Sequence, residues 1–265
     1  QLAGRLPHPV IGSLSRPVQT ETVVALPAAV QGQARQKAVL FEKAAPLLVQ
    51  QRSIRLDGVV DCQGGRCGFF YMGSEGFRFQ QYIPCLDPLE EERGGQEYSL
   101  SPDQYAEFLK MLFDLWYREL EQGRYWSVRY FDNLLWMLEG HAPEQCSMRG
   151  CCGLQYLVEA DGSVYPCDFY GLDAYRLGNI RDDAWEDLDR AREALGFVEA
   201  SLRVPEKCGH CRWYPLCRNG CRRDRVLEGE QLGCSYYCES YAGFFAYALP
   251  RLGQARILLR RIQTP

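Results

Sequence analysis

Ten cysteines stand between positions 146 and 238: Cys146, Cys151, Cys152, Cys167, Cys208, Cys211, Cys217, Cys221, Cys234 and Cys238. Four of them form the run Cys208-Gly-His-Cys211, Cys217, Cys221, a C-x2-C-x5-C-x3-C spacing in which short loops wrap the backbone while the thiolates converge on a metal centre. Four thiolates suit zinc or an iron–sulfur cluster alike, so the spacing specifies metal and leaves the metal open. His210 reads as a spacer with an exposed ring rather than as a ligand. Arg212, Arg218, Arg222, Arg223 and Arg225 crowd the same stretch. A cubane held by four thiolates carries a charge of about −2 that such cations would stabilise; the plainer alternative is a solvated basic face. The pair Cys62 and Cys67, spaced C-x4-C in a Gly-rich loop, carries no chemistry on its own.

The chain has 265 residues, 46% hydrophobic and 24% charged, with a net charge of −4. This is a globular composition, and it gives no footing for broad binding to nucleic acid or to an anionic membrane. No apolar run reaches the length of a membrane span. Thirteen cysteines, an odd number in a chain large enough to fold without staples, fit reduced thiolates holding metal and a cytoplasmic location.

The elements that must position these thiols are legible in part. A helix is plausible over 33–51, broken by Pro46, and Phe77–Ile83 alternates as a strand that Pro84 ends. Ser101 caps a helix with Pro102 first and Gln104 three residues on; Tyr105, Phe108, Leu109, Leu112, Phe113, Trp116 and Leu120 share one face, and Gly123 closes it. Trp126–Phe131 reads as a strand, with Asp132 capping a short helix Asn133–Glu139. Asp161-Gly162 joins two β runs, Gln155–Ala160 and Ser163–Cys167, into a hairpin. Residues 183–202 read as helical and amphipathic, and Tyr237–Leu249 as an apolar helix stopped by Pro250.

Several stretches resemble the anaerobic sulfatase-maturating enzymes, radical S-adenosylmethionine proteins with a carboxyl-terminal SPASM domain. They are Phe79-Gln-Gln-Tyr-Ile-Pro-Cys-Leu-Asp-Pro88, Val128-Arg-Tyr-Phe-Asp-Asn133, Cys152-Gly-Leu-Gln-Tyr156, Glu159-Ala-Asp-Gly-Ser-Val-Tyr-Pro-Cys-Asp-Phe-Tyr170, Arg176-Leu-Gly-Asn-Ile180 and Cys211-Arg-Trp-Tyr-Pro-Leu-Cys217. The resemblance covers residues 76–255, about two-thirds of the chain. It implies an α/β remnant of a partial (β/α)6 barrel followed by an α+β SPASM domain, a β-hairpin plus helices around two auxiliary [4Fe–4S] clusters. By position it assigns Cys146, Cys152, Cys167 and Cys221 to the first cluster, and Cys208, Cys211, Cys217 and Cys238 to the second, with Cys151 and Cys234 as spares near matched positions. Cys85 is expected in the core.

The family reaction oxidises a Cys or Ser in a sulfatase's Cys/Ser-x-Pro/Ala-x-Arg segment to Cα-formylglycine. A 5′-deoxyadenosyl radical takes a hydrogen from the substrate Cβ, after which a proton and an electron must leave. Asp168, next to the ligand Cys167, matches the family's proposed base, with a turn residue ending the hairpin as the alternative. Leu86 matches the position near the S-adenosylmethionine adenine, and Arg129 and Tyr130 are candidates to hold the substrate peptide, a core or salt-bridge role being the alternative. The implied partners are a sulfatase polypeptide and an electron carrier such as a flavodoxin or ferredoxin.

The family's amino-terminal C-x3-C-x2-C loop, which holds the third cluster and S-adenosylmethionine, does not occur in these residues. The expected division is therefore 1–75, an unmatched segment, truncated or frame-altered and without strand–helix alternation; 76–140, the end of the barrel and its connecting helices; 141–255, the SPASM region; and 256–265, a tail. On this reading the chain alone is inactive. The competing readings are another SPASM peptide-modifying maturase and a non-catalytic zinc-binding interaction module.

Overall fold

A parallel sheet and a pair of long helices carry the framework in the computed structural model, which describes residues 23–24, 52–56, 69–70, 77 and 79–263. The helix expected over 33–51 and the Cys62–Cys67 loop lie outside the described residues. Strands β1 (Val23–Val24), β2 (Arg52–Leu56), β3 (Phe79–Pro84) and β4 (Ser127–Val128) are neighbours in that order, all parallel, in the registers Val23↔Ser53, Arg52↔Gln80 and Phe79↔Ser127. Two of these strands lie within residues 1–75, where the sequence shows no strand period. Strands this short show no period, and strands of parallel sheets, covered on both faces, seldom alternate.

β3 shows the same effect. Gln80, on its expected polar side, is fully buried; it donates to the Phe69 carbonyl at 3.3 Å and accepts from the Tyr82 hydroxyl at 2.5 Å. Cys85, just past the strand, is half-buried rather than in the core.

Helix α1 (Pro102–Glu121) begins as its residues dictate. Ser101 Oγ accepts from the Gln104 backbone N–H and the Gln104 side chain accepts from the Ser101 N–H. All seven residues of its expected face are buried. Trp126–Phe131 departs from expectation: only Ser127–Val128 is strand, and helix α2 (Arg129–Leu138) starts at once, with Val128 in the cap position. Asp132 is therefore inside the first turn, where its carboxylate complements the helix dipole and accepts from the Ser127 hydroxyl instead of capping.

Burial pushes the Asp132 carboxyl up to about 7, against the hydrogen bonds of Ser127 and Tyr125, which lower it. A folded pKa above the unfolded value near 4 means that this group's contribution is complete below about pH 4 and is lost as pH rises through about 7. Asp132→Asn should remove that loss, so the variant's melting temperature, compared with the parent's, should gain between pH 5 and 8; an unchanged difference across that range would rule the effect out.

Beyond α2, β5 (Leu157–Val158) and β6 (Ser163–Tyr165) form the expected antiparallel hairpin. Gly162, at φ 88°, takes the left-handed position of the turn, and Asp161 accepts from both the backbone and the hydroxyl of Ser163. A third strand, β7 (Gly178–Asn179), pairs with β6. The helical stretch 183–202 is divided into α3 (Trp185–Ala194) and the short turn Phe197–Ser201, separated by Gly196 at φ 60°. β8 (Arg225–Glu228) and β9 (Gln231–Ser235) make a second hairpin.

Helix α4 (Cys238–Gln263) runs straight through Pro250, contrary to the expected stop. An interior proline costs about 3 kcal/mol. Phe244, Phe245, Ala248, Leu252 and Ala255, all fully buried on both sides of Pro250, offset that cost by packing into the main core with α1 and α2. Phe244 meets Phe113 at 5.9 Å and Phe131 at 5.8 Å, and Tyr237 meets Tyr105 at 4.7 Å. Among the described residues no helix is long and apolar enough to cross a membrane.

The cysteine-rich part has little such core. Its separate cluster of buried side chains is Cys167, Tyr170 and Phe197, while Leu154 is 73% exposed.

Candidate metal centres and the cleft beside them

The thiols gather into two neighbourhoods. Burial raises Cys146 and Cys152, lifts Cys167 to about 12 and drives Cys221 well up. Charge on Cys146 raises Cys152, charge on Cys152 raises Cys167, and charge on Cys146 and Cys167 raises Cys221, so these four lie within electrostatic reach of one another. Likewise Cys208 feels Cys234, Cys217 and Cys238, while Cys217 and Cys238 both feel Cys211. Cys146, Cys152, Cys167 and Cys221 thus fall in one neighbourhood and Cys208, Cys211, Cys217, Cys234 and Cys238 in the other, with Cys234 3.9 Å from Cys208.

A three-residue turn separates them. Arg218, Asn219 and Gly220 have φ of 49°, 66° and 61°, three consecutive left-handed residues between Cys217 and Cys221. Two of the three are not glycine, which costs about 1–2 kcal/mol each. Asn219 offsets part of this: it donates to the Gly233 carbonyl at 3.0 Å and accepts from the Ser235 N–H at 2.8 Å. Cys217 and Cys221 flank this turn, Cys217 within electrostatic reach of Cys211 and Cys238 and Cys221 within reach of Cys146 and Cys167. Gly150, at φ 78°, lies against it; a Cβ there would sit 2.6 Å from the Arg218 carbonyl oxygen.

Two of the five arginines are not part of a solvated face. Arg223 and Arg225 are each 5% exposed. Arg225 donates to the carbonyls of Ser201 at 2.6 Å, Gly150 at 2.8 Å, Asn219 at 3.2 Å and Gly220 at 3.4 Å. Its charge lowers Cys152 in the first set and Cys217 in the second. Arg222 lies 4.2 Å over the Phe197 ring and also lowers Cys152. His210 is exposed, as a spacer should be.

Buried thiols with raised pKa values stay protonated at neutral pH unless a cation displaces the protons, and the nearby guanidinium charges favour the thiolates. The donor sets therefore suit a thiolate-ligated metal group. Among the described residues no three Cys, His, Asp or Glu side chains converge tightly enough for a single ion. Four thiolates on one zinc would stand about 3.8 Å apart, given a Zn–S length of about 2.3 Å; a cubane, with one thiolate on each of four irons, spreads its ligands more widely.

A cleft of ≈ 1260 Å³ opens beside the first set and is lined by all four of its cysteines. Its other wall is the carboxyl end of the parallel sheet, including Leu86, Arg129 and Tyr130, the edge at which open α/β sheets hold ligands. Asp168 is exposed on this cleft at the start of the turn Asp168–Tyr170, and accepts from the Cys167 thiol at 3.2 Å. Arg129 is held by Glu144 at 2.8 and 3.1 Å and by Gln81 at 2.8 Å. Tyr130 stacks among Phe131, Tyr241 and Phe244. Sequence reasoning did not find Gln81 and Glu144 as the groups that orient Arg129, nor Asn219; only the Asn219-Gly220 dipeptide offered a signal.

Residues 150–212 match SPASM, an iron-sulfur cluster-binding domain. A cysteine-type anaerobic sulfatase-maturating enzyme of Clostridium perfringens is 49% identical over 183 residues, 69% of this chain and 50% of that protein. Over that span this chain is a homologue of anaerobic sulfatase-maturating enzymes. A serine-type enzyme of Bacteroides thetaiotaomicron is 29% identical over 68% of this chain and 44% of its own length. The solved structure described as native anSMEcpe with bound AdoMet and Cp18Cys peptide superposes with a TM-score of 0.73 at 41% identity, covering 85% of this chain and 62% of that one. This homologue of the maturating enzymes thus spans about half the length of the curated relatives it matches. It shares their radical S-adenosylmethionine and SPASM fold over that span.

Proposed function

We propose that this chain supplies the auxiliary-cluster and substrate-binding part of an anaerobic sulfatase maturation, in which a sulfatase Cys or Ser becomes Cα-formylglycine. The observation that carries the proposal is the placement of Asp168: a carboxylate exposed on a large cleft, one residue from Cys167 and facing the same space as the first four-thiol set. Cys146, Cys152, Cys167 and Cys221 would hold one [4Fe–4S] cluster, and Cys208, Cys211, Cys217 and Cys238 the other; when bound, such a group would supply an electron acceptor, the first of them at a set that lines the cleft. Asp168 takes the proton of the substrate thiol or hydroxyl. Once Cys167 is a thiolate ligand it has no proton to donate, and the Asp168 oxygen that it now occupies becomes free to accept.

Leu86 forms apolar wall for the adenosine, and Arg129, fixed by Glu144 and Gln81, lines the peptide side together with Tyr130. Residues 76–140 then serve as the end of the barrel and 141–255 as the cluster region. The 265 residues contain no C-x3-C-x2-C loop, so turnover needs that element from elsewhere. The partners are a sulfatase polypeptide and a flavodoxin- or ferredoxin-type carrier, in a reducing compartment such as the cytoplasm.

Metal analysis tests this. After anaerobic reconstitution the chain should bind about eight irons and about eight acid-labile sulfides. It should also bind a peptide containing Cys-x-Pro-x-Arg, read by fluorescence anisotropy. Stoichiometric zinc without sulfide would end the redox reading, and iron loading without peptide binding would remove the substrate role.

A further inference from the structure

The four-ligand assignment of the second set leaves one thiol over. Cys234 stands in β9, half-buried, with its sulfur 3.9 Å from that of Cys208. Two thiolates on different irons of a cubane would stand farther apart than this, so the two do not both ligate one cluster in this arrangement, and the family resemblance makes Cys234 the spare. A disulfide needs about 2.04 Å, and the gap closes by a shift of less than 2 Å. Cys208 sits in a single helical turn, Glu206–Gly209, and Cys234 in a two-stranded hairpin; neither is locked into the main core.

We propose that Cys208 and Cys234 are a reversible disulfide pair, closed by small-molecule disulfides when the second set holds no cluster. The inference rests on the cluster reading only for its consequence, the withdrawal of one ligand. Cys234 is the more accessible of the two, since Cys208 is buried. Cys234 sulfur attacks a small disulfide R–S–S–R and displaces one R–SH. Cys208 sulfur then attacks the Cys234 sulfur, forms the protein S–S bond and releases the second R–SH. The two protein thiols are oxidised by two electrons, the small disulfide is reduced by two, and the thiol protons leave on the two R–SH molecules. A thiol pair so closed is spared the sulfinic and sulfonic stages, which are not readily reversed.

The test uses the whole 265-residue chain, reconstituted anaerobically, stripped of iron with a chelator and exposed to oxidised glutathione. Alkylation and non-reducing peptide mapping should find the Cys208 peptide joined to the Cys234 peptide as the main internal disulfide, reversed by dithiothreitol and absent from the iron-loaded chain. In Cys234→Ser, Cys208 should stay alkylatable, and iron uptake before oxidation should match the parent. Cys208 joined mainly to Cys211, Cys217 or Cys238 would overturn the proposal, as would full alkylation of Cys234 in the oxidised parent. Loss of about four irons in unoxidised Cys234→Ser would also overturn it by making Cys234 a ligand. A parent chain that never takes up about eight irons removes the two-cluster reading instead, and the peptide map still decides the disulfide.

Discussion

Asp168→Asn should lower formylglycine formation by about 10²–10⁴-fold in a protein that carries these residues together with a C-x3-C-x2-C loop. Iron and sulfide per chain should not change, because the side chain ligates nothing in the proposed sets. The substitution keeps shape and removes basicity: Asn can fill the place of a carboxylate exposed on the cleft, but cannot take a proton at neutral pH. Cleavage of S-adenosylmethionine to 5′-deoxyadenosine should persist and become uncoupled from product, since Asp168 has no part in starting the reaction. A role limited to the turn Asp168–Tyr170 predicts another pattern, lost iron with both activities falling together. Unchanged turnover, measured by mass spectrometry of a sulfatase peptide, would remove Asp168 from the mechanism.

The parts legible in the sequence are those that local chemistry decides. Ser101, Pro102 and Gln104 specify the start of α1 without tertiary help, and Asp161-Gly162 specifies its turn through the left-handed glycine. The misread parts are those where packing overrides a local signal. Pro250 says stop, and the buried Phe244, Phe245, Leu252 and Ala255 on either side carry the helix through it. Asp132 says cap, but Val128 leaves the sheet directly into α2 because Phe131, Leu134 and Leu135 are wanted in the core. In the site, cysteine spacing gave metal from the residues alone. The proposed split of C-x3-C between two sets came from family resemblance, while the three left-handed residues in a row between Cys217 and Cys221 are a backbone fact no composition rule encodes. The five arginines looked equivalent in sequence, yet Arg212 is exposed while Arg223 and Arg225 are buried.

That inequality makes Arg225 the position with the largest expected effect on stability. Its guanidinium gathers carbonyls from three separate segments: Gly150 ahead of Cys151 and Cys152, Ser201 at the end of a helical turn, and Asn219 with Gly220 in the strained reversal before Cys221. Arg225→Met keeps much of the buried volume and leaves four carbonyl oxygens without this donor. Hydrogen bonds from a charged group contribute about 1.5–3 kcal/mol each, but part of that loss is recovered by relaxation and water, so about 3–5 kcal/mol of destabilisation is expected. Lysine should rescue little, since one ammonium cannot reproduce a planar fork aimed at several acceptors. The effect should reach both metal sets, because the same side chain positions Gly150 beside Cys152 and the turn that separates Cys217 from Cys221, and its charge lowers a thiol in each. Iron uptake by Arg225→Met should therefore fall for both clusters together, whereas Cys221→Ser should impair the first and spare most of the second. Thermal unfolding of the reconstituted chains, paired with iron counts, separates the two patterns; a variant with parental iron and a melting temperature within a degree or two would mean that Arg225 is not the clamp between them.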